Sequence, residues 1–263
     1  MSSLPTVFVS HGAPNLVIDD APATDFLRRF GGRLGTPAAV VVVSAHFEAD
    51  DPLVSADDSP AMMYDFGGFE PELYEMLYPA PGDPGLARRI KDLLRSEGFQ
   101  ADEATGRGFD HGTWVPMMLL YPEANVPVVQ LSVSPAQDAA YHYRMGQALR
   151  PLHEDNILIL GSGSLTHNLS AFFRGGFAKD AEPPDWVEAF ADWMHDHVTA
   201  GSIDALLDYR QRAPHAAENH PTQEHLLPFF VAAGAAVSGG TRGERVHASS
   251  SHGVLAMDAY TFG

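Results

Sequence analysis

Two short β-branched runs constrain this chain more than any other feature. Thr6-Val7-Phe8-Val9 stops at Ser10-His11-Gly12, and Val40-Val41-Val42-Val43 stops at Ser44-Ala45-His46. Apolar runs of this length, ended by small or polar residues, predict strands buried inside a sheet. Each carries a histidine just past its predicted carboxyl end, the edge of an open α/β sheet where ligands bind. The rest of the chain reads as a scaffold that brings further histidines to these two.

Apolar residues recur at helical spacing over 25–34, 84–96, 114–121, 136–152 and 185–198. In the third of these, Pro116 is tolerable if it falls in the first turn. A shorter helix is predicted near 71–77, another over 203–209, and an apolar helical run reaches about Ala236. Further strands are predicted near 99–101, over 126–133 and 157–160, and in two terminal segments, 245–249 and 253–262. Strands alternating with helices predict an α/β fold: a single catalytic domain over 1–263, with a mostly parallel central sheet flanked by helices.

Thirteen histidines stand against only 16 Lys and Arg, and there is no cysteine. The sequence therefore allows neither a disulfide framework nor a thiolate metal site, and any transition-metal site must use imidazole and carboxylate. A net charge of −18 argues against a nucleic-acid partner. No apolar stretch of membrane-spanning length occurs, and Met1 to Pro5 lacks the features of a leader. A cytoplasmic protein is the expectation. None of the motifs specifies an oligomeric state.

Beyond His11 and His46, His167 follows the predicted strand 157–160 through Gly161-Ser162-Gly163-Ser164. That turn lacks the endings of a P-loop or a dinucleotide fingerprint, so a phosphate cradle is weakly supported. His111 lies between Asp110 and Gly112, where Asp110 either orients the ring or caps the following helix. His220 and His225 are five apart, so one regular helix does not aim both at one ion. One of them suits a ligand and the other a supporting role. Pro228 cannot donate to the Glu224 carbonyl, which predicts a bend or a helix start there. His142, His153, His195, His197, His215, His247 and His252 read as structural or exposed. Arg107, Tyr64 and the 62–69 loop are candidates for substrate contact or for purely structural work.

Six motifs, in order, resemble a known family: Ser10-His11-Gly12-Ala13-Pro14, Ser44-Ala45-His46-Phe47-Glu48, Asp65-Phe66-Gly67-Gly68-Phe69, Asp110-His111-Gly112-Thr113-Trp114, Gly161-Ser162-Gly163-Ser164-Leu165-Thr166-His167-Asn168 and His220-Pro221-Thr222-Gln223-Glu224-His225. Together they resemble the class III extradiol ring-cleavage dioxygenases, in particular the DOPA 4,5-dioxygenase branch. The resemblance implies a mononuclear non-haem metal held by His11, His46 and His225, with Fe(II) expected for activity. Zn(II) is the alternative in the isolated protein, because three histidines and an open position suit zinc equally well. It also implies His167 as acid/base, able to close a fourth metal position when no substrate is bound, and His111 as hydrogen-bond donor to the reacting oxygens. The implied substrates are O2 and a catechol, a 3,4-dihydroxyphenyl compound such as DOPA. A zinc-dependent hydrolase and a non-catalytic metal- or ligand-binding relative are the competing expectations.

Overall fold

The valines of residues 40–43 alternate between two faces of one sheet. Val40 and Val42 join the core cluster that holds Phe26, Leu27 and Trp114, whereas Val41 and Val43 join that of Ile90, Leu94 and Leu149. Period-two alternation with both faces apolar is what a central strand requires, and each buried valine contributes about 1.5–3 kcal/mol. A computed structural model describes residues 4–236 and 242–263. Residues 1–3, part of the stretch read above for a leader, lie outside the described residues.

The strands are β1 (Thr6–Ser10), β2 (Ala39–Glu48), β3 (Leu53–Ser55), β4 (Asp102–Ala104), β5 (Val128–Val133), β6 (Ile157–Gly163), β7 (Gly243–His247), β8 (Ser250–Ser251), β9 (Leu255–Ala256) and β10 (Ala259–Phe262). The helices are α1 (Pro22–Leu34), α2 (Pro84–Ser96), α3 (His111–Leu120), α4 (Ala139–Leu149), α5 (Leu169–Gly175), α6 (Asp185–Ala200), α7 (Ile203–Leu207), α8 (Tyr209–Arg212), α9 (Ala216–Asn219) and α10 (Leu227–Gly234). Eight strands form one sheet in the order β4-β3-β5-β2-β6-β1-β10-β7, and β8 pairs with β9 separately. Its centre, β5-β2-β6-β1, is parallel, and antiparallel pairs join β3 to β5, β1 to β10 and β10 to β7. The mostly parallel α/β sheet expected from the sequence is thus present. A third core cluster, with Phe190, Tyr209, Phe229 and Tyr260, joins α6, α8, α10 and β10. Among the described residues no helix is long and apolar enough to cross a membrane.

Three departures from the sequence expectation shape the site. β2 does not end at Ala45: its register against β5 jumps from Val43↔Leu131 to Glu48↔Val133, so His46 rides a bulged segment inside the strand. Bulges of this kind re-aim side chains beside functional sites. β6 runs on through Gly161, Ser162 and Gly163, so these residues are sheet and not a phosphate cradle. A Cβ at Gly161 would stand 2.3 Å from the Pro228 carbonyl oxygen, and one at Gly163 would stand 2.0 Å from that of His225. The glycines are there because the chain around α10 crosses against them. Finally, α3 starts at His111, capped by Asp110, whose Oδ1 accepts from the Thr113 amide at 3.0 Å. Pro116 therefore lies in the second turn, where it leaves the Gly112 carbonyl without its helical donor.

Candidate metal centre

Five histidines converge at the carboxyl edge of the parallel strands. His11 follows β1, His46 sits in the bulge of β2, and His111 opens α3. His167 follows β6, and His225 precedes α10. The ligand-capable atoms of His11, His46 and His111 lie within 4.8 Å of one another, and so do those of His167, Glu224 and His225.

Three of the five rings, those of His11, His111 and His225, are held through Nδ1. The Gly112 carbonyl left open by Pro116 accepts the Ser162 hydroxyl. Ser162 Oγ has then spent its proton, so it accepts from His11 Nδ1–H at 3.0 Å. His225 donates from Nδ1 to Glu224 Oε1 at 2.9 Å, and His111 donates from Nδ1 to Asp65 Oδ1 at 2.9 Å. Asp65 Oδ2 stands 3.6 Å from His46 Nδ1. A proton fixed on Nδ1 leaves Nε2 as the lone-pair nitrogen, the arrangement typical of metal-bound histidine.

Burial and mutual repulsion keep His11, His46, His167 and His225 neutral. The conjugate acids of His11 and His225 are depressed well below the ordinary imidazole value, by burial first and then by the neighbouring histidines. His46 is lowered to about 3 by burial and by His111, against the opposing pull of Asp65. His167 is lowered to about 4, again chiefly by burial, with Glu224 opposing. For Asp65, burial acts upward but is outweighed by the hydrogen bonds and charge of His111, leaving it at about 2 and ionised.

The donor set fits a single divalent ion. His11 Nε2 and His46 Nε2 face each other at 3.1 Å. The Nδ1–H of His11 is committed to Ser162, so its Nε2 carries the lone pair, which accepts either an Nε2–H of His46 or, shared with His46 Nε2, a cation. Two imidazole nitrogens, each about 2.1 Å from one ion at 90–110°, stand roughly 3.0–3.4 Å apart, with ring centres about 4.6–5.3 Å apart. The ring centres of His11–His46 and His46–His225 are 5.0 and 4.9 Å apart, within that range, and those of His11–His225 and His11–His111, each 5.5 Å, lie just beyond it. His46–His111, at 3.9 Å, is tighter than two ligands of one ion require. His167 stacks on His225 with centroids 3.5 Å apart and 12° between planes. An ion in the plane of one ring then lies well out of the plane of the other, so coordination by His167 requires its ring to leave the stack.

The other sequence candidates sort themselves by place. His220 is buried at the Leu165 carbonyl oxygen, 2.8 Å from its Nε2, where it braces the 164–168 loop. Asp110 caps α3 and accepts from the Ser44 hydroxyl and from Arg107, so it does not orient the His111 ring. Arg107 donates to Asp110 and to the His46 carbonyl and lies over Phe47, 4.5 Å from the ring centroid. Tyr64 donates to the Met76 carbonyl. Neither Arg107 nor Tyr64 lines the cavity over the histidines, but residues 66–69 of the same loop do. His252, read as structural, also lines that cavity. The carboxylates Asp65 and Glu224 were named in the sequence only as members of motifs. The signal that marks them is the hydrogen bond from a clustered histidine Nδ1 to a carboxylate.

Comparison with known proteins identifies the family. The family model described as the catalytic LigB subunit of aromatic ring-opening dioxygenase matches residues 5–262. The chain is 42% identical over 261 residues to a 4,5-DOPA dioxygenase extradiol of Beta vulgaris, covering 98% of this chain and 96% of that protein. It is 36% identical over 235 residues to the protein of the same name from Escherichia coli K12, covering 88% and 85% of the two chains. The crystal structure of uncharacterized protein JW3007 from Escherichia coli K12 superposes with a TM-score of 0.82 at 30% identity, covering 99% of this chain and all of that one. This chain belongs to the LigB family of aromatic ring-opening dioxygenases, the class III extradiol enzymes.

Proposed function

We propose that residues 1–263 form one catalytic domain that opens a catechol ring with O2 at a mononuclear Fe(II) held by His11, His46 and His225. The observation that carries this reading is the convergence of the His11 and His46 Nε2 atoms, 3.1 Å apart, with the ring of His225 centred 4.9 and 5.5 Å from theirs. An Fe(II) held there supplies the chemistry of binding both catechol oxygens and activating O2. Zn(II) fits the same donors and fills the site in protein isolated without iron.

The protein's own groups handle protons and position. His167, neutral and within the cavity, takes the proton of one catechol hydroxyl and returns it after ring opening. Its place on the face of His225, outside the ligand plane, supports an acid/base role over permanent coordination. His111 donates to the reacting oxygens only when both its nitrogens carry protons, because Nδ1–H is already committed to Asp65. The ionised Asp65 carboxylate balances that charge. Three neutral ligands leave the centre more positive than two histidines and a carboxylate do, which favours a bound catecholate. The cysteine-free sequence supports a cytoplasmic setting.

The test is anaerobic loading with Fe(II), followed by a 3,4-dihydroxyphenyl compound and air. A yellow ring-opened product is expected from the wild type. His11→Ala and His225→Ala lose the metal, whereas His167→Ala keeps it and loses turnover. Full metal occupancy in both ligand variants, or zinc-dependent ester hydrolysis in place of ring opening, overturns the reading.

A further inference from the structure

The cavity over the histidines measures about 560 Å³, within the range of small-molecule sites and larger than one aromatic ring needs. The space beyond the ring is where a catechol's substituent must lie. No Lys or Arg is among the residues that line it. Residues 1–3 and 237–241, outside the described structure, contain none either. Its two carboxylates are already matched: Asp65 by His111, and Asp19 by Lys179 at 3.1 Å. The His252 ring packs on Phe172 at 4.9 Å, and its Nδ1 is within 2.9 Å of Ser251 Oγ.

The outer wall is apolar instead. Leu169, Phe172 and Phe173 of α5 line the cavity together with Leu255, Met257 and Phe66. Leu169 is 47% exposed and Phe173 is 77% exposed, large apolar surface left uncovered at the mouth. A carboxylate entering this space gives up water and meets no lining Lys or Arg, and the Lys179 ammonium beside Asp19 is already paired, an unfavourable exchange, while an alkyl chain covers the exposed rings.

Resting on the ring-cleavage reading of the same site, we propose that the preferred substrate is a catechol with an uncharged, apolar substituent, and not a catechol acid or amino acid. The names of the relatives point to an amino-acid substrate for those proteins; the walls of this cavity select against its charged end.

The test compares 4-propylcatechol, 3-(3,4-dihydroxyphenyl)propanoate and DOPA with the Fe(II)-loaded enzyme, and by calorimetric binding to the Zn(II)-loaded protein. The alkyl catechol is expected to exceed both others by about tenfold or more in kcat/KM and in affinity. Phe173→Lys changes an exposed residue, and it is expected to cut that preference by about tenfold by improving the propanoate. Equal or better use of the propanoate or DOPA by the wild type overturns the proposal, as does an unchanged ratio in Phe173→Lys. If no catechol is turned over but the binding preference and its reversal hold, ring cleavage falls and the apolar subsite stands.

Discussion

Glu224 Oε1 accepts from Nδ1 of its neighbour His225 at 2.9 Å and also stands 4.0 Å from Nδ1 of His167. One carboxylate thereby serves two stacked rings that belong to different loops. It fixes the tautomer of His225, so that Nε2 is the nitrogen offered to a metal, and it supplies the negative charge next to the proposed base. Partners of this kind set ligand basicity and ring orientation. Glu224→Ala is expected to weaken metal binding by roughly 10–100-fold. Glu224→Gln, which keeps an acceptor oxygen, is expected to lose less. Competition with a chelator of known affinity measures both, and unchanged affinity in Glu224→Ala would remove Glu224 from the site.

Ser162 ties a helix defect to His11, a proposed metal ligand. Pro116 withholds a donor from the Gly112 carbonyl, the Ser162 hydroxyl fills that place, and His11 then donates to Ser162. Ser162→Ala leaves the carbonyl and the imidazole N–H buried and unpaired. Such groups cost about 1–3 kcal/mol each. Urea denaturation of the metal-free protein is expected to show a loss of that order, with looser metal binding because His11 is free to change tautomer. Ser162→Thr retains the hydroxyl and is expected to recover metal affinity ahead of stability.

Gly112 and Gly163 offer a steric test of how closely the site is assembled. A methyl group on Gly112 would stand 2.7 Å from Ser44 Oγ and 2.9 Å from His46 Cδ2. A methyl group on Gly163 would meet the His225 carbonyl oxygen, which already accepts from the Ser164 amide at 2.8 Å. Gly163→Ala is expected to push the His225 backbone out and to cost both stability and metal retention. Gly112→Ala pushes against side chains only and is expected to act mainly on the His46 ring. Metal stoichiometry after dialysis, beside thermal midpoints, separates the two outcomes.

Much of this was legible in the sequence, and the rest was hidden for identifiable reasons. The valine run and the strand-end histidines specify a buried parallel sheet and place His11 and His167 at its carboxyl edge, because period-two burial and strand ends are local properties. Pro228 marked the start of α10 for the same reason. The bulge carrying His46 was invisible because it arises from a register break against β5, which no local pattern encodes. Asp65 reaches His111 across 46 residues, and His11 meets Ser162 across 151, so their pairing is a property of topology. The glycines of β6 resembled a loop because the reason for them, the backbone around α10, lies more than 60 residues further along the chain. His252 reaches the cavity through a backward turn with φ of 53°, uncommon for a residue with a side chain.

Acid sensitivity of the metal-free fold is expected to come from its buried histidines, those outside the cluster as well as those in it. His142 is fully buried; its Nε2 accepts from the Ser134 amide at 3.0 Å, and its Nδ1 donates to the Asp138 carbonyl at 2.8 Å. Burial lowers its conjugate acid to about 4, against the opposing influence of Asp138. In the unfolded chain an ordinary imidazole takes up its proton near pH 6.5. Between pH 6.5 and about 4 the unfolded state therefore binds a proton that the folded state refuses. The contribution of His142 is fully present above that window and falls by about 3 kcal/mol across it. Asp258, raised to about 6 by burial despite Arg245, works in the opposite direction, because its folded form takes up a proton first as pH falls. Urea midpoints of the metal-free protein between pH 8 and 4.5 measure the balance. His142→Gln is expected to be less stable at pH 8, where its hydrogen bonds are lost, and to flatten the acid limb by about one proton. An acid limb as steep in the variant as in the wild type would assign the sensitivity to another group.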